Sequence, residues 1–182
     1  MDEAVAFGSK AFFAYLAVLA LGRGMDLLST WVATPTLMLE GNPVAKRLGW
    51  KGGLLVNLTI CVVFARWPLA AIIIATTSAL VAARNFQLAW LTRSHGEENY
   101  RAWFGQRLVE TPPTLFIFCL LAQTLLVGAV GGAVAYFSGL EQLVVLGIGF
   151  GIIGYATAVL LFTLLALWRS RRVQRLSEKS WE

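Results

Sequence analysis

Apolar runs long enough to cross a bilayer constrain this chain more than any other feature. Four of them, 11–33, 68–91, 114–137 and 142–168, carry few charges. A fifth, 52–65, is shorter and is interrupted by Asn57 and Thr59. About 18 or more consecutive apolar residues suit a membrane-spanning helix, because a helix satisfies every backbone polar group within itself where no water is available. Composition agrees: 58% of the 182 residues are hydrophobic and 14% are charged, against about 25% charged in a soluble domain. The expected fold is an all-α polytopic membrane bundle of five transmembrane helices. It occupies residues 1–168 as a single unit, and 169–182 form a basic cytoplasmic tail, partly disordered.

The connectors have their own signals. Pro35 disfavours helix at Thr34 and closes the first span. Asn42 followed by Pro43 reads as a helix N-cap and first helical position, opening a short surface helix over 43–48. Arg66-Trp67-Pro68 is a tight interfacial connector that starts the third span. In the longest polar loop, Ser94 with Glu97 fits a capping box. Tyr100, Trp103, Phe104 and Leu108 then share one face, predicting an amphipathic helix over about 95–109 on the membrane surface. The link over 138–141 allows only a tight turn.

Five spans put the termini on opposite sides. One side holds Lys46, Arg47, Lys51, Arg93, Arg101, Arg107 and five basic residues of the tail; the other holds Lys10 and Arg66. Lysine and arginine collect on the cytoplasmic side, so the expected localisation is a prokaryotic cytoplasmic (inner) membrane, N-terminus outside and C-terminus inside. The net charge of +5 speaks to topology and anionic lipid, not to nucleic acid.

Charge inside the spans is scarce. At about 1.5 Å per residue, Asp26 lies roughly 10 Å from the cytoplasmic boundary, level with Arg84 and Asn57. Arg23, Asp26 and Thr30 share one face of the first span, and Arg84 and Gln87 one face of the third. An unpaired charge at this depth costs at least about 2.5–3.5 kcal/mol, which predicts an Asp26–Arg84 pair with Arg23 as a second cation. Thr30, Asn57, Asn85, Gln87 and Gln123 are candidates to complete the hydrogen bonds. One carboxylate beside two guanidiniums leaves positive charge for a phosphate or carboxylate. Glu40 and Asn42 would stand at the mouth of this site. In the other half of the bundle, Gly128-x-x-x-Gly132 and Gly147-x-x-x-Gly151 predict a close antiparallel hairpin of the last two spans, or a dimer seam.

Other chemistry finds little support. His95 is the only histidine, without partners at metal-ligand spacing, and no phosphate-binding glycine loop occurs. Cys61 and Cys119 each sit in an apolar run and read as small buried residues. No metal, cofactor or catalytic residue is assigned.

The string Asp26-x-x-x-Thr30 followed by Glu40-x-Asn42-Pro43 resembles an uncharacterised family of small prokaryotic multi-pass membrane proteins, a domain of unknown function, over 21–90. That resemblance implies a shared polar site on the cytoplasmic side. Asn57 stands where the family carries a lysine, and the histidine late in its third helix is absent.

The leading reading is a membrane protein with a polar site near the cytoplasmic leaflet that binds or transports a small anionic or lipid-like ligand. Membrane lipids are the expected partners, with a homo-oligomer or larger membrane complex as a further one. A non-catalytic accessory or assembly subunit is the alternative. An intramembrane enzyme comes third, because the acid–base inventory is thin.

Overall fold

The computed structural model describes residues 4–178, with side chains through Trp168. It is all-helical: α1 (Lys10–Ala33), α2 (Pro43–Phe64), α3 (Pro68–His95), α4 (Glu97–Glu110), α5 (Pro113–Ser138) and α6 (Leu143–Glu178). All but α4 are long and apolar enough to cross a membrane, so the chain is an integral membrane protein by length and composition. α6 continues as helix past Trp168 to Glu178, where the sequence suggested partial disorder. Residues 179–182, and the side chains of the whole basic tail, lie outside the described residues.

The helix ends follow local chemistry. Ser9 Oγ accepts from Phe12 N at the start of α1. Asn42 Oδ1 accepts from Val44 N, with Pro43 next in line. Prolines also open α3 and α5. α2 begins where Asn42-Pro43 predicts, and the non-helical backbone of Gly49 (φ 63°, ψ −171°) divides it by a kink into a short first helix and the span, as the sequence suggests. Only glycine adopts that conformation without strain. The expected capping box of α4 does not form. Ser94 Oγ donates to Leu91 O, Gly96 occupies the N-cap, and Glu97 turns to another partner described below.

α3 is the hub, packing against α1, α6, α4 and α2, while α5 packs on α6. The buried face of α1 runs through Phe12, Leu19, Gly22, Ser29 and Ala33. That of α3 runs through Ala71, Ala75, Ser78, Ala82, Ala89 and Thr92. Both keep to one heptad register, with steps of three, four and seven, the pattern of a coiled-coil seam, and Gly22, Ser29, Ala75 and Ser78 are small residues of the kind that let helices approach closely in a membrane. A Cβ on Gly22 would lie 2.9 Å from Ala75 O. Contacts advance together along the two helices, from Gly22–Ala75 to Ser29–Asn85 to Ala33–Thr92, so α1 and α3 run parallel. At the opposite end Val5 N donates to Arg66 O, tying the N-terminal stretch to the α2–α3 turn.

The α5–α6 hairpin forms, but not through the predicted glycines. Gly128 and Gly132 have open space where a Cβ would point. Gly131 meets Gly149 and Ile152 instead, and a Cβ on Gly149 would sit 2.6 Å from Ala135 N. Gly147 and Gly151 face α3, against Ile72 and Thr76. Thr77 Oγ1 donates to Gly151 O. The physical reason is that glycines on α6 line two faces. Residues 147 and 151 share one, and 149 lies on the other, so four-residue spacing alone does not say which neighbour each face meets.

Candidate functional site

The charged cluster of α1 lies where α1, α2 and α3 meet. Arg23 is its centre. Its Nε donates to Asn57 Oδ1 on α2. Its Nη1 donates to Asp26 Oδ2 at 3.1 Å and to Ser78 Oγ at 3.1 Å. Asn57 is itself held, because its Nδ2 donates to Gly53 O at 2.7 Å. The side chains of Arg23 and Asp26 are 24% and 19% exposed, so the pair is largely withdrawn from its surroundings. Local helix geometry explains it: residues three apart on α1 lie on one face, and the small Ser78 leaves room for the guanidinium at the α1–α3 seam.

The expected Asp26–Arg84 pair is therefore replaced by Arg23–Asp26. Asp26 needs no distant partner when one lies a turn away on its own helix. Arg84 is half-buried and makes no hydrogen bond or ion pair among the described residues. Its charge reaches Tyr100 of α4. Tyr100 is half-buried, and burial raises its phenol above the ordinary value while the Arg84 charge opposes the rise. Tyr100 also stacks with Phe104 and leans on Trp103, giving α4 the predicted aromatic face.

The remaining candidates divide. Thr30 joins a second layer, where Asn85 Nδ2 donates to Ser29 Oγ and Thr30 Oγ1, each at 3.3 Å. Ser29 Oγ in turn donates to Asp26 O. Gln87 is exposed, and Gln123 is exposed on α5, which packs on α6; neither completes the cluster. Glu40 lies near enough for its charge to act on Asp26. Its Oε1 accepts from Asn42 N at 2.7 Å, so Asn42 caps its helix and also holds Glu40.

Two contributors escaped the sequence reading. Ser78 is one, although the small-residue rhythm of α3 marks its position. Glu97 is the other. Its carboxylate accepts from Thr34 Oγ1 and, at 2.6 Å, Thr36 Oγ1, and from Thr36 N at 3.2 Å. Burial alone would raise its pKa, but these hydrogen bonds, with another from Met38 N–H, outweigh burial and hold Glu97 below the usual carboxylate range. No sequence signal links residue 97 to residues 34–38.

Fold and cluster together define a class, a five-span helical membrane protein with a largely buried arginine network and a second arginine that has no ion pair among the described residues. Comparison with protein families, curated proteins and solved structures gave no match, so the chemistry of the residues alone carries the functional reading.

Proposed function

We propose that this membrane protein binds or moves a small anionic or lipid-like ligand at an intramembrane polar site near the cytoplasmic leaflet. One observation carries the reading: Arg84 is half-buried in a membrane-spanning helix with neither carboxylate nor hydrogen-bond acceptor among the described residues. Ionisable groups in spans are costly and are retained where they meet a partner or a ligand. A guanidinium is the side chain best suited to carboxylate and phosphate. Arg23, already engaged by Asp26, Asn57 and Ser78, is the frame; Arg84, whose charge reaches the phenol of Tyr100, is the group that meets the anion. The distribution of lysine and arginine supports the orientation, since the α1 C-terminal end of the bundle carries the basic connectors.

The test is lipid retention in nanodiscs of mixed phosphatidylglycerol and phosphatidylcholine, read by native mass spectrometry. The parent protein is expected to retain the anionic lipid, and Arg84→Gln to retain at least tenfold less. Arg107→Gln, on the exposed α4 surface, should behave as the parent. Equal retention by Arg84→Gln and parent, together with no anion flux in liposomes, would defeat the reading.

A further inference from the structure

Residues 34–42, between α1 and α2, cross the ends of α1, α2 and α3 that lie nearest the charged cluster, and are held there from several sides. Thr34 and Leu37 are buried. The charge of Glu40 acts on Asp26, and Gly41 approaches Phe162 of α6, so the segment crosses from α1 to α6. Trp50 Nε1 donates to Pro35 O and Lys46 Nζ to Met38 O, while Thr92 Oγ1 fixes the end of α1 just before the segment by donating to Ala33 O. These are single bonds. The one multiple attachment is the Glu97 carboxylate, which gathers the hydroxyls of Thr34 and Thr36 and the N–H of Thr36.

Two further observations give this attachment a direction. Leu37 has φ 57°, a left-handed conformation that disfavours side chains with a Cβ. Such strain persists only where surrounding contacts impose it. α4, which carries Glu97, has no buried residue and packs mainly on α3. Gly96 (φ 77°) stands at its start and the pair Pro112-Pro113 after its end. A surface helix with a glycine at one end and little buried area is drawn from the low-stability end of a fold.

We propose that residues 34–42 form a strap closing the Arg23–Asp26–Asn57 site, with Glu97 of α4 as its latch. When Glu97 releases Thr34 and Thr36, Leu37 relaxes from its strained conformation and the strap lifts from the helix ends, opening the way toward Asp26. α4 carries the latch, so whatever displaces α4 from α3 opens the site. The inference rests on the cluster being a binding site, but its test does not use the ligand.

The experiment measures access. On a Cys61→Ala, Cys119→Ala background in nanodiscs, Ser29→Cys reports the buried cluster, and the probe is a charged, water-soluble methanethiosulfonate. Glu97→Ala is expected to speed modification at least tenfold, and Thr36→Val severalfold. Glu98→Ala, an exposed neighbour without a bond to the strap, should leave the rate unchanged. A second reporter, Ala75→Cys in the α1–α3 seam, must stay slow in every variant. If Glu97→Ala is no faster than Glu98→Ala, the proposal is overturned. If both reporters accelerate in Glu97→Ala, the fold has loosened and Thr36→Val decides; an unchanged Ser29→Cys rate there also overturns it. A strap that opens over a site with no ligand passes this test and fails lipid retention.

Discussion

Arg23 and Arg84 have the same side chain in the same type of environment, yet their surroundings give them opposite stakes. Arg23 shares a carboxylate, an amide and a hydroxyl. Removing one member of a buried pair leaves an uncompensated charge and costs about 3–5 kcal/mol, so Asp26→Asn should destabilise the protein on that order in an SDS or urea unfolding titration. Arg84→Gln should raise stability in the same titration, because it removes an unpaired charge from a span and loses no bond. Glu97 adds a pH dependence. Its folded pKa is depressed, so its contribution is fully present above the ordinary Glu value of about 4.3 and fades as pH falls through the lower folded value. Thr36→Val should move the Glu97 carboxyl back toward its ordinary value in a carbon-13 NMR titration. The sequence placed Arg23, Asp26 and Asn57 at one depth and made them neighbours. It pointed to Arg84 as the partner of Asp26, where the structure pairs Asp26 with Arg23, because that choice depends on helix rotation.

At the scale of helices, the seams are made by small residues whose backbones nearly touch. Gly149, Gly131 and Gly22 are the tightest places tied to backbone atoms of a neighbour, at 2.6 Å, 2.8 Å and 2.9 Å from an added Cβ. Gly149→Ala and Gly22→Ala are expected to destabilise by about 1–3 kcal/mol, the range of overpacking. Gly128→Ala and Gly132→Ala should stay within about 0.5 kcal/mol, as expected of open positions. Reversible unfolding in detergent separates the two groups. The spans were legible because apolar length alone specifies a membrane helix. The partner of each glycine face was not, because periodicity gives the direction of a face relative to its own helix and not relative to its neighbours. The same limit hid Glu97. Three residues after Ser94 it fits a capping box, and only the folded chain brings it to Thr34 and Thr36.

For the whole molecule, α1 and α3 pack directly on each other and run parallel, α2 runs back beside them, and the N-terminal stretch meets the α2–α3 turn at one end. Labelling single cysteines at Glu98 and at Glu141 with an impermeant reagent in intact cells should place them on opposite sides, position 98 inside and position 141 outside. The reverse result would invert the orientation inferred from lysine and arginine. The bend at Gly49 bears on the bilayer itself. The straight part of α2 beyond it, through Phe64, spans only about 22 Å at 1.5 Å per residue. The hydrocarbon layer is about 30 Å thick. A short span is met by local thinning of the bilayer around it. Where the bilayer thins along the flank of α2, headgroups and water approach the level of Asn57 and Arg23, and the membrane's own deformation then shortens the path from the aqueous phase to the arginine network.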